Sequence, residues 1–188
     1  KASFVDDIEK IIWTNKLSPS NLNIGVGSDV EEIEVFHILL KNKNFNQKIL
    51  DAIDKAIPYY ILFVLEYNGK QQVWLGYKEK STISANKTNL VRYFNTPWEN
   101  EIELEIKGNK LDSIYENFLS QLSDGLIDTS SEEDLKTKVN QTVEIQKLEN
   151  QIEKLTKKMT NEKQFNRQIE INKEIKKLTK TLEGLKNG

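Results

Sequence analysis

The chain has 188 residues, 37% hydrophobic and 30% charged, with no cysteine and one histidine, so disulfides, thiolate metal sites and any site needing two imidazoles are excluded. Net charge is −2, but residues 1–146 carry 16 basic and 23 acidic side chains, whereas residues 147–188 carry 11 basic and 6 acidic. An acidic body therefore precedes a basic tail, which permits anionic partners without demanding them.

Phe4, Ile8, Ile11, Ile12 and Asn15 follow helical spacing, which predicts an amphipathic helix from Ala2 to about Lys16, stopped by Ser18-Pro19-Ser20-Asn21. Lys1 is not Met and this helix reads as already under way at Ser3, so a preceding segment is expected. Gly25-Val26-Gly27-Ser28-Asp29 reads as a loop. Ile33 to about Leu39 then reads as an interior strand, apolar on both faces. Asn44 can cap a helix from Phe45 to about Ala56, with Ile49, Leu50, Ile53 and Ala56 turned inward and Pro58 ending it. Tyr59–Tyr67 and Gln72–Lys80 are β-rich runs joined by Asn68-Gly69, a strong hairpin signal. Asn89–Phe94 and Glu101–Lys107 add two strands, and Leu111–Ser123 is a helix with Ile114, Tyr115, Phe118, Leu119 and Leu122 on one face.

All three tryptophans and all six tyrosines precede Asn117, which places the packed core there. The longest apolar run, Tyr59–Leu65, is strand-sized, far below the roughly 20 residues of a membrane span. No signal peptide opens the chain, so a cytoplasmic protein without membrane contact is expected.

A boundary falls at Gly125–Ser131, where Thr129-Ser130-Ser131-Glu132 offers an N-cap, and no proline follows. Ile145, Leu148, Ile152, Leu155 and Met159 form a heptad seam, and Ile171, Ile175, Leu178, Leu182 and Leu185 form a second one out of phase with the first. The break at Thr160–Asn166 fits an antiparallel hairpin with Phe165 plugging the bend, its arms of roughly 25 residues reaching almost 40 Å. A helix continuing through a stutter and pairing with a second chain, as a homodimer, also fits it. The expected fold is α+β. Residues 1–128 make a small, mainly antiparallel sheet with helices on one face, and residues 129–188 make a coiled-coil helical hairpin turning near 160–166.

The chain resembles a bacterial domain-of-unknown-function family, number 4391. The resemblance rests on Ile11-Ile12-Trp13-x-x-Lys16-Leu17-Ser18-Pro19, Asp54-Lys55-Ala56-Ile57-Pro58, Leu111-Asp112-x-x-Tyr115-Glu116-Asn117 and Glu162-Lys163-Gln164-Phe165-Asn166-Arg167. It implies a protein encoded beside a helicase and a DNA methyltransferase, in loci like type III restriction or phage-defence systems. It supplies no catalytic residue and no cofactor.

Chemistry-bearing patterns are few. Glu103-Leu104-Glu105-Ile106-Lys107 places Glu-x-Lys on an expected strand, as metal-dependent nucleases do, but a half-exposed strand with a wetted charged face also accounts for it. Glu31, Glu32 and Glu34 invite a metal and admit the same ordinary reading, and His37 reads as a packed or rim residue. Lys154, Lys157, Lys158, Lys163 and Arg167 gather near the turn, where they either grip phosphates or form a solvated coiled-coil face. The leading expectation is a non-catalytic accessory or adaptor protein binding a partner such as a helicase or DNA methyltransferase subunit. The alternatives are nucleic-acid binding by the basic tip and a metal-dependent nuclease-like domain.

Overall fold

The computed structural model describes residues 4–80, 88–129 and 133–187. The chain forms two compact units, Lys1–Ser131 and Glu132–Gly188.

In the first unit, α1 (Phe4–Asp7) leads into β1 (Ile8–Leu17), followed by α2 (Pro19–Leu22), β2 (Ile33–Leu40), α3 (Lys48–Ala56), β3 (Tyr60–Tyr67), β4 (Lys70–Lys80), β5 (Thr88–Asn95) and α4 (Leu111–Leu122). The strands form one sheet in the order β1-β2-β3-β4-β5. Only β2 and β3 run parallel, because α3 carries the chain back across the sheet between them. Asn68 and Gly69 take φ of 49° and 72°, the left-handed pair of a two-residue hairpin turn, and join β3 to β4.

The α+β class and the mainly antiparallel sheet are those the element pattern implies. The helices, expected on one face, are shared between both, because β3 is apolar on each side and each side needs cover. Ile61, Phe63 and Leu65 pack with Ile49 and Leu50 of α3. Residues of opposite parity face α4, where the Tyr60 and Tyr115 rings lie 4.5 Å apart.

Three local expectations are corrected. The Ala2–Lys16 helix is instead the short α1 followed by the edge strand β1, antiparallel to β2 from Ile8↔Leu40 to Leu17↔Ile33; Ala2 itself lies outside the described residues. Register shifts between Ile8 and Lys10 and between Trp13 and Asn15 break the two-residue alternation, so the apolar positions mimic helical spacing. Glu101–Lys107 is extended but not a strand. Gln121 of α4 takes the place of a ladder neighbour, with the Glu105 N–H donating to its Oε1 at 2.9 Å and its Nε2 donating to the Glu105 carbonyl at 2.9 Å. Helix α3 starts at Lys48 rather than Phe45, and the Asn46 side chain, not Asn44, accepts from its first N–H at 3.1 Å.

The second unit consists of α5 (Leu135–Asn161) and α6 (Phe165–Asn187), packed against each other. The N-cap proposed at Thr129–Glu132 falls mostly outside the described residues; Asp134 caps α5 by accepting from the Thr137 N–H at 2.9 Å.

Candidate functional site

The turn of the hairpin is built by one carboxylate. Oε1 of Glu162 accepts from the N–H groups of Lys163 (2.9 Å) and Gln164 (3.0 Å), and the Gln168 amide donates to the Glu162 carbonyl at 2.7 Å. The Gln164 N–H is the main reason that the Glu162 carboxyl titrates below its ordinary range, with Lys158 and Arg167 adding to it. Along the seam, Ile145, Leu148 and Ile171 are buried, and Ile152, Leu155, Met159, Ile175, Leu178, Leu182 and Leu185 are half-buried. Lys186 reaches Glu149 across the two helices at 2.7 Å. Helices α5 and α6 pack against each other.

Phe165 does not plug the bend. It is 72% exposed, the first residue of α6, and Ile169 one turn on is 39% exposed. Glu162 and Gln168 already satisfy the turn's backbone, which leaves the ring free to project. A shallow depression of about 350 Å³ lies beside it, lined by Met159, Thr160, Phe165, Gln168, Ile169 and Asn172. Lys154, Lys157, Lys158, Lys163 and Arg167 are all exposed around this end of the hairpin. Of the five, Lys157 is paired with Glu153.

On the body, reading β1 as a helix hid an edge. Among the described residues β1 pairs with β2 alone, and Trp13 and Ile11 are 61% and 40% exposed on it. Beneath this edge lies Glu34, whose carboxyl is pushed up mainly by burial. Lys16 is paired with Glu32 at 3.1 Å, and among the described residues no three His, Cys, Asp or Glu side chains converge to hold a metal.

Sequence reasoning also missed a buried polar cluster. Asp54, near the end of α3, lies 2.7 Å from the Lys78 ammonium of β4, with side chains 2% and 4% exposed. Lys78 donates to the Tyr59 carbonyl at 2.8 Å and stands 5.4 Å from the centre of the Tyr60 ring. Tyr93 of β5 donates to the other Asp54 oxygen. Burial, with the Asp54 charge beside it, drives the Tyr93 phenol far above its ordinary value, and burial pushes Tyr60 up to about 12. The Tyr93 hydroxyl stays protonated, so the cluster is an ion pair with one phenol donor attached. It borders a cleft of about 610 Å³ formed with Asp51, Lys55, Ile57, Pro58 and Leu90. The available signal was weak: a lone Asp on the inward face of a helix and a lone Lys in a strand.

The other sequence candidates disperse. Glu105 and Lys107 pair with each other, exposed, on an irregular segment, so the strand that a nuclease Glu-x-Lys requires is absent there. Nε2 of His37 lies 2.8 Å from Glu66 on the neighbouring strand β3. The Gly25–Asp29 loop wraps Asp112, whose carboxylate accepts from the N–H groups of Ser28 (2.6 Å), Asp29 (2.9 Å) and Val30 (3.1 Å).

The family described as Domain of unknown function (DUF4391) matches residues 1–182. The chain belongs to this family. No curated protein and no solved structure matches it. In this DUF4391 protein no described helix is long and apolar enough to cross a membrane.

Proposed function

We propose that this protein is a non-catalytic accessory protein that acts by protein–protein contact, its α+β unit docking a larger partner. The observation that supports this most is the β1 edge, where Trp13 and Ile11 are exposed on a strand that has one side unpaired among the described residues. A long edge strand carrying large apolar side chains is a ready template for another chain. Asp112 is bonded to its own loop, and Glu32 and Asp54 are paired with lysines. The setting we infer is a bacterial DNA restriction-modification or phage-defence system, with a helicase or DNA methyltransferase subunit as partner. The test is co-purification of the full chain with such a subunit from a host expressing both. Trp13→Glu with Ile11→Lys abolishes co-purification while the far-ultraviolet spectrum is unchanged. Undiminished recovery of the partner refutes the assignment.

A further inference from the structure

We infer that the tip of the α5–α6 hairpin is a contact site for single-stranded nucleic acid, with Phe165 as a stacking platform and the surrounding cations as phosphate ligands. The sequence pattern assigned Phe165 to the inside of the bend, yet the ring is 72% exposed, between Lys163 and Arg167 in the chain. The fold does not need it there. The turn is closed by Glu162 and Gln168, and the seam is filled by Met159 and Ile171 on either side. An aromatic ring with no packing role, set among cations, combines the two elements by which unpaired strands are bound: a π-face that accepts any base and charges that follow the backbone. Beside the ring, Met159 and Ile169 line the depression of about 350 Å³, giving a flipped-out base an apolar flank.

The charges are available for this role. Lys154, Lys158, Lys163 and Arg167 are exposed, and among the described residues none of them forms an ion pair through its side chain. The carboxylates nearby are Glu153, Glu162 and Glu170. Glu153 is paired with Lys157, and Glu162 accepts from two backbone N–H groups while its charge also acts on Lys158 and Arg167, so the five cations outnumber the three carboxylates around them. Glu162 accepts from the N–H groups of Lys163 and Gln164, the two residues that precede α6. A duplex keeps its bases stacked and offers the ring nothing, which is why the ring argues for unpaired strands.

The experiment uses the full chain and a fluorescently labelled thymidine 20-mer, with the matching duplex and heparin as competitors, followed by anisotropy. Four phosphate contacts to a single strand give a slope of log K against log salt near −2.8, or roughly 50-fold weaker binding between about 50 and 200 mM salt. Phe165→Ala weakens binding roughly 5-fold or more with the slope unchanged, since stacking is salt-independent. Lys158→Gln with Lys163→Gln and Arg167→Gln flattens the slope. Lys173→Gln with Lys176→Gln and Lys180→Gln, elsewhere on α6, leaves affinity within about 2-fold. Binding of the duplex as tight as that of the single strand, or full affinity in Phe165→Ala, overturns the inference. So does no anisotropy change up to about 100 µM protein at low salt. Phe165 is too exposed for the alanine variant to unfold the hairpin, so that comparison decides even if a charge variant misfolds.

Discussion

Removing either partner of the Asp54–Lys78 pair should be the most damaging polar substitution in the body. In Lys78→Met the new side chain fills the old volume, but among the described residues the Asp54 carboxylate, 2% exposed, keeps only the Tyr93 hydroxyl as a partner. The Tyr59 carbonyl also loses the donor it held at 2.8 Å. A charge stranded in this way costs about 3–5 kcal/mol, a large part of the stability of a domain this size. That corresponds to a fall in Tm of about 10–15 °C, taking roughly 3 °C per kcal/mol. Adding Asp54→Leu removes the orphaned charge, so the double variant should recover about half or more of the loss, a coupling of at least ~2 kcal/mol. Urea unfolding monitored by tryptophan fluorescence reads this directly, because Trp74 lies 5.8 Å from Tyr93. A loss below about 1 kcal/mol in Lys78→Met, or single effects that simply add in the double variant, would show that the pair is wetted and the closed-cluster account mistaken.

Gly76→Ala should cost about 1–3 kcal/mol in the same assay, because a Cβ there meets Leu90 Cδ1 at 2.6 Å, Tyr93 at 3.2 Å and Asp54 Oδ2 at 3.3 Å. Partial burial raises the Asp112 carboxyl, but the Asp29, Ser28 and Val30 N–H groups outweigh it and hold the group below its ordinary range. A depressed folded value contributes stability above the unfolded pKa of about 3.9 and loses it as pH falls through the folded one. Asp112→Ala should therefore cost about 2–3 kcal/mol near neutrality, with the gap to the parent narrowing as pH falls below that unfolded value in parallel urea titrations. Glu162→Ala should lower the helical signal of the hairpin near neutral pH, and acidification of the parent protein should do the same as that carboxylate is protonated. An unchanged circular-dichroism melt counts against the capping role.

How much was legible depended on whether a residue's partner was near in sequence. The β3–β4 hairpin is specified by two apolar runs and Asn68-Gly69, all within about twenty residues, and its register follows from the turn. β1 was misread because its partner β2 lies beyond a fifteen-residue gap with α2 inside it, and because two irregularities scramble the alternation that identifies a strand. Glu101–Lys107 shows the converse. Its alternation is genuine, with Ile102 and Leu104 half-buried beneath exposed glutamates, but alternation reports only a face, and a strand also needs a neighbouring ladder. Asp54, Lys78 and Tyr93 come from three elements with long separations, so nothing local marks them as a set.

The hairpin divides in the same way, and the division explains Phe165. The seam residues were readable because a heptad is a local rule, applied separately on each helix. The bend obeys no such rule. An apolar residue at a chain reversal suggests a plug, on the premise that the turn needs an apolar filler. Glu162 removes that premise: one carboxylate supplies both acceptors that the turn's N–H groups require, and Gln168 supplies the donor for its carbonyl. With the backbone satisfied by side chains from positions 162 and 168, Phe165 contributes nothing to closure and is held outward by the first turn of α6. A large apolar side chain kept in water without a folding reason is better explained by what it meets than by what it packs on, and here it stands among cations.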